Sequence, residues 1–221
     1  MRVLRARGVL FDLDGTLVSS IAAVDRAWRR WAVEYDMDPD YVAARIHGRR
    51  ARDSIAALAP DVDQEVAFEL IEHLEATDVT GVVPADGARE FLAKLEGFPW
   101  GIVTSGTQAI ALPRLKAARI PVPEVFVTAE QITRGKPHPD AFLMGAARLG
   151  LRPEAIVAFE DTLAGVQSAA SAGMQVVAMT EEAAAEADVA TSSVLDIRVE
   201  LEGGELSLEF KPGSTDSPSV V

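Results

Sequence analysis

Five short apolar runs, at residues 8–12, 100–104, 125–128, 156–160 and 175–179, alternate with longer segments of helical period, and nothing else in the chain limits its fold so strongly. A strand buried on both faces of a parallel sheet reads as a continuous apolar run, and parallel neighbours need a crossover long enough to hold a helix. The chain is therefore predicted to be α/β, with a parallel sheet covered by helices. At 221 residues and 48% hydrophobic content it can bury such a core and still carry an insert.

The residues at the end of each run decide the chemistry, because ligands of open α/β sheets bind beyond the carboxyl ends of the strands. The first run, Val9-Leu10-Phe11, ends on Asp12-Leu13-Asp14-Gly15-Thr16 and sets a candidate nucleophile, Asp12, beside a candidate acid, Asp14. Two carboxylates two apart on an extended backbone face opposite ways, so a turn at Gly15 is needed to bring Asp14 back over Asp12. The second run leads into Thr104-Ser105-Gly106-Thr107, a hydroxyl with backbone amides before a helix, which can cradle a phosphate. Gly135-Lys136-Pro137 holds a lysine in a stiff turn, where its ammonium can face a phosphoryl group. The fourth run delivers Glu160-Asp161 to a helix start at Thr162, and paired carboxylates suit a hard, oxygen-seeking cation such as Mg²⁺. Taken singly, each also fits a plainer role: a polar loop exit, a helix N-cap or a solvated surface lysine. Their recurrence at strand ends, in a workable order, is what selects the phosphate-site reading.

As a set these four segments resemble the motifs of the haloacid dehalogenase superfamily of aspartate-nucleophile phosphotransferases, over roughly residues 8–180. The resemblance implies that Asp12 attacks phosphorus and forms an aspartyl phosphate, while Asp14 protonates the leaving group and later activates water. It further implies that Mg²⁺ is held by Asp12, the Asp14 carbonyl and Asp161, with Glu160 bound directly or through water. Lys136, Thr104 and the amides of Ser105 and Gly106 would hold the remaining phosphoryl oxygens.

Between the first and second runs, residues 19–82 show no strand pattern. Ile21, Val24, Trp28, Trp31 and Tyr35 recur at spacings of three and four and make one apolar helix face, so the two tryptophans are expected in the core of the insert and His73 on a helix surface. An all-helical insertion here is similar to the small cap of one subclass of that superfamily. The full expectation is a Rossmann-like parallel sheet core with an inserted all-helical cap domain and a C-terminal β-hairpin. The core would be residues 1–18 and 83–181, the cap 19–82, the C-terminal extension 182–211 and a disordered tail 212–221. Ser19-Ser20 and Thr80-Gly81-Val82 would connect cap to core. Ile46-His47-Gly48-Arg49-Arg50 fits sugar hydroxyls or a phosphate, or else a solvated basic loop. With Asp53-Ser54-Ile55 it resembles the cap loop of 2-deoxyglucose-6-phosphate, glycerol-phosphate and hexitol-phosphate phosphatases, with His47 and Arg50 at matching positions and Arg49 as a further candidate. In the extension, Ile197, Val199 and Leu201 alternate with charges, Gly203-Gly204 comes next, and Leu206, Leu208 and Phe210 alternate again, which predicts a hairpin along one sheet edge.

Composition narrows the partners. There is no cysteine, which excludes disulfides and thiol catalysis and is compatible with a reducing cytoplasm. Asp12 and Asp14 interrupt the first apolar stretch before it could serve as a signal or spanning helix. A net charge of −13 repels nucleic acid and anionic membranes, and ten acidic against two basic residues from Glu181 onward place −8 of it in the last stretch. The expected partner is a small phosphorylated metabolite and the chain is expected to be a monomer with no obligate protein partner. The reading is a Mg²⁺-dependent sugar or polyol phosphatase. A phosphomutase of the β-phosphoglucomutase type is the main alternative, although the cap arginine of those enzymes would fall at Ala51. An inactive phosphate-binding protein is the other, and a metal-free dehalogenase would have no use for Asp14 or the Glu160-Asp161 pair.

Overall fold

A computed structural model describes residues 2–211, so the tail expected to be disordered, 212–221, lies outside the described residues. The apolar runs form β2 (Gly8–Phe11), β5 (Trp100–Val103), β6 (Val125–Val127), β7 (Ile156–Glu160) and β8 (Gln175–Ala178), and with β9 (Val189–Ala190) they build a parallel sheet in the order β6-β5-β2-β7-β8-β9. Strand β2 lies between β5 and β7, with Phe11 opposite both Ile102 and Phe159.

Period-two alternation sends these side chains into two cores. Val9, Phe11, Ile102, Val157, Phe159 and Val177 enter one, where Phe11 stacks on Phe159 at 5.0 Å and meets Phe91 edge-on. Helices α5 (Ala88–Lys94) and α6 (Gln108–Ala118) cover this face through Phe91, Leu92 and Leu115. Leu10, Val103, Val127, Ala158 and Val176 enter the other, under α7 (Asp140–Leu149) and α8 (Leu163–Ser171).

Residues 20–80 hold four helices: α1 (Ile21–Glu34), α2 (Pro39–Ala43), α3 (Ala51–Leu58) and α4 (Gln64–Thr77). They close around their own core of Trp28, Trp31, Val42, Ile55, Phe68 and Ile71, and the Trp31 indole donates to the Ala67 carbonyl at 2.9 Å. Asp38 and Asp63 cap α2 and α4 by accepting from amides of the first turn. The connections to the sheet are two short antiparallel strands, β3 (Val18–Ser19) and β4 (Val83–Pro84), so the pairing begins one residue after Val82 and leaves Ser20 to start α1.

The C-terminal segment departs from expectation in three ways. The hairpin of β10 (Ile197–Glu202) and β11 (Glu205–Phe210) does not extend the edge of the parallel sheet. It takes β1 (Val3–Ala6) as a third strand and forms a separate antiparallel sheet, β1-β11-β10. Strand β1 was not anticipated, because Arg2, Arg5 and Arg7 mask its short alternation of exposed Val3 and Arg5 with buried Leu4 and Ala6. The boundary at residue 181 also cuts too early, since Val189 and Ala190 supply the last strand of the main sheet. The small sheet is no appendage: Leu4, Ala6, Leu206, Leu208 and Phe210 are buried in the same cluster as Phe11 and Phe159. Among the described residues no helix is long and apolar enough to cross a membrane.

Candidate active site

The carboxyl ends of β2, β5 and β7 converge on one point. Asp12 leaves β2 with its amide on the Phe159 carbonyl at 2.9 Å, and its carboxylate accepts from the Lys136 ammonium at 2.5 Å. Lys136 also donates to the Val103 carbonyl at 3.2 Å and to Glu160, so the ammonium ties together all three strand ends. Asp12, Lys136 and Glu160 are all buried. The second Glu160 oxygen accepts from the amides of Asp161 and Thr162 and from the Thr162 hydroxyl.

Two glycines make this crowding possible. Gly15 turns the chain at φ +87°, and a Cβ there would stand 1.9 Å from an Asp161 carboxylate oxygen. Gly165, in the first turn of α8, lets the helix press onto Glu160, whose carboxyl carbon would lie 1.9 Å from an added Cβ. Asp12, Glu160 and Asp161 can each bring one carboxylate oxygen to a common point, the three atoms lying within 4.8 Å of one another. This all-oxygen set fits a hard divalent cation.

Burial dominates the electrostatics. It pushes Asp12 well above the ordinary carboxylate range against the pull of Lys136. Asp161 is pushed up to about 8, by burial first and then by the Glu160 charge. Burial alone would lower Lys136, but Asp12 and Glu160 outweigh it and raise its pKa, so it stays an ammonium.

The helical insert closes over these residues. A cavity of about 60 Å³ is lined by Asp12, Asp14, Thr104, Ser105, Gly106 and Asp161 from the sheet side, and by Ile21, Trp28, Ile46, His47, Gly48, Arg49, Ala51 and Glu75 from the insert. Thr104 is buried and its hydroxyl accepts from the Gly106 amide at 3.0 Å, while the Ser105 hydroxyl donates across the seam to the Gly48 carbonyl at 3.0 Å. The Thr107 hydroxyl bonds Glu72 of α4 at 2.7 Å, a further contact across the seam. His47 approaches the Asp25 carboxylate at 3.0 Å. Ala51, where the mutase arginine would fall, lines the same wall as Arg49.

Arg50 does not join the others. Its guanidinium is held by Asp53 at 2.8 and 2.9 Å and by the Ile132 carbonyl at 3.0 Å, and it lines a separate cavity of about 180 Å³. Arg50 was expected among the substrate-binding residues; as the N-cap residue of α3 it is held along the seam by Asp53 and the Ile132 carbonyl, outside the lining of the Asp12 cavity.

Two residues of the cavity wall were missed. Arg114 of α6 is buried and donates to Asp14 at 2.7 Å and to Glu75 of α4 at 2.6 Å. The other Asp14 oxygen accepts from the Ser20 hydroxyl at 2.5 Å. The signal was present in the sequence: Arg114 falls inside the apolar stripe Ile110, Ala111, Leu115, Ala118, and Glu75 inside Ala67, Ile71, Leu74. Opposite charges at such positions call for each other.

A parallel sheet that gathers an aspartate nucleophile candidate, a buried lysine and a carboxylate pair under a helical lid defines a class of hydrolases, and the comparisons agree. Residues 6–173 match the haloacid dehalogenase-like hydrolase family, and the chain belongs to it. It is 47% identical to hexitol phosphatase A of Escherichia coli, over 81% of this chain and 86% of that one. It is 32% identical to glycerol-1-phosphate phosphohydrolase 1 of Saccharomyces cerevisiae, over 79% and 74%. A β-phosphoglucomutase from Clostridium difficile shares the fold, with a TM-score of 0.74 at 20% identity over 85% of this chain and 91% of the other. Like the phosphatases it matches, the protein is a phosphoric monoester hydrolase.

Proposed function

We propose that the protein hydrolyses small phosphorylated sugars or polyols with Mg²⁺ through a phosphoaspartate on Asp12. The observation that carries this is the Lys136 ammonium clamped between Asp12 and Glu160 beneath the helical lid. Phosphate monoesters resist hydrolysis because anionic oxygens shield phosphorus, so neutralisation and positioning must supply most of the rate. When bound, Mg²⁺ supplies charge neutralisation at the carboxylates of Asp12 and Asp161, with Glu160 and the Asp14 carbonyl nearby. Lys136 takes one phosphoryl oxygen, and Thr104 with the amides of Ser105 and Gly106 takes others. A carboxylate oxygen of Asp12 then bonds to phosphorus as the ester P–O bond breaks. Asp14 gives its proton to the departing oxygen, releasing the alcohol. Ionised Asp14 next takes a proton from water, which attacks the phosphoaspartate, releases phosphate and restores Asp12.

The names of the two relatives support a polyol or sugar phosphate as substrate. The small cavity under the insert supports a metabolite rather than a polymer. His47, which lies beside Asp25, and Arg49 offer a donor and a cation to the part of the ester beyond phosphorus. The test is phosphate release from a panel of hexitol, hexose and glycerol phosphates, with Mg²⁺ and with chelator, for the native chain and Asp12→Asn. Metal-dependent release that vanishes in the variant is expected, and undiminished release by Asp12→Asn would remove Asp12 as nucleophile.

A further inference from the structure

Asp14 is not a free carboxyl group at the mouth of the cavity. Each of its oxygens is held, one by the Ser20 hydroxyl at the root of the insert and the other by the Arg114 guanidinium. Arg114 in turn is shared with Glu75, which belongs to the insert and is itself buried. The Arg114 side chain is 2% exposed and that of Glu75 8%, while Asp14 keeps 20% of its side chain open to the cavity. Breaking such a contact leaves an uncompensated buried charge, which makes the three positions interdependent.

Arg114, Glu75 and Asp14 all line the cavity that contains Asp12. Nothing in the phosphoryl-transfer chemistry requires Arg114 to touch phosphorus, and Lys136 already serves that end. We propose that Arg114 is a positioning residue: anchored by Glu75 of the insert, its guanidinium fixes the direction of the Asp14 carboxyl group. This rests on the reading of Asp14 as the group that protonates the leaving oxygen.

The test uses two substrates that differ in their need of a proton. An alkyl phosphate such as glycerol phosphate needs it, and 4-nitrophenyl phosphate, whose leaving group is stable as an anion, does not. The readout is the ratio of kcat/KM for the two, which reports the steps up to leaving-group departure. Asp14→Asn should lower this ratio roughly 10²-fold or more, since general acid catalysis is worth that much. Arg114→Lys should lower it roughly tenfold or more, and Glu75→Gln should lower it in the same direction. Placed on Asp14→Asn, Arg114→Lys should change the ratio no further. A merely structural Arg114 would slow both esters alike and leave the ratio unchanged, which overturns the proposal. If Arg114→Lys does not fold, the double variant Arg114→Met with Glu75→Met removes both charges while keeping apolar packing, and the same ratio decides. A ratio unmoved by Asp14→Asn would instead overturn the acid role itself, an outcome distinct from failure at Arg114.

Discussion

Lys136 shows most clearly how a single residue serves fold and site together. Its ammonium is the common partner of Asp12, Glu160 and the Val103 carbonyl. Lys136→Met should therefore do more than abolish turnover: it leaves two buried carboxylates facing each other, a loss expected to cost about 3–5 kcal/mol. That loss depends on pH with a definite sign. Without the ammonium the carboxylates favour their protonated forms, so the variant's deficit in thermal melting should shrink as pH falls to mildly acidic values, and a deficit constant with pH would contradict this account. The residues at the strand ends, Asp12, Asp14, Thr104, Lys136, Glu160 and Asp161, were legible in the sequence because strand and loop are local patterns. The placement of Arg50 was not legible, because a side chain's direction is set by what it meets, here Asp53 and the Ile132 carbonyl, and neither contact is visible in a motif.

At the scale of the element, the C-terminal hairpin is the instructive case. Leu206 and Leu208 of β11 are fully buried, in the cluster that backs Phe11 immediately before Asp12. Leu208→Ala is expected to cost about 2–5 kcal/mol, the range for a buried leucine cut back to alanine, and to unfold the parallel sheet with it. Denaturant unfolding followed by tryptophan fluorescence and far-UV circular dichroism should give one coincident transition, whereas a separate early transition would make the hairpin an independent appendage. The same reasoning applies to α8, where Gly165→Ala should displace Glu160 and weaken its hold on Lys136, read as a fall in phosphatase activity well beyond the change in melting temperature. The hairpin itself was visible as two alternating runs around Gly203-Gly204. Its partner was not, because β1 is four residues long and its pairing with β11 spans the whole chain.

Across the whole molecule, the buried carboxylates predict how stability responds to pH and metal. Asp12, Glu75 and Asp161 are all raised by burial, Asp161 to about 8. A carboxyl group that binds its proton more tightly when folded stabilises the protein at low pH, and that contribution is lost as pH rises from the ordinary carboxylate range through the folded value. The metal-free protein should thus melt highest at mildly acidic pH and lose stability toward pH 8. Mg²⁺ requires the ionised carboxylates, so its stabilisation should grow over the same interval. Melting curves in chelator and in Mg²⁺ at several values between about pH 5 and pH 9 check both trends, and a Mg²⁺ shift independent of pH would refute them. The sequence by itself determined the α/β class, the helical insert and the strand-end residues, since each is written in periodicity or in neighbours a few positions apart. Only the tertiary structure decided that the hairpin would take β1 instead of the main sheet's edge, that Arg50 would turn away, and that Arg114 and Glu75 would meet at Asp14. Those outcomes depend on which buried charge or strand edge finds a partner far along the chain, and such pairing is settled by packing in three dimensions.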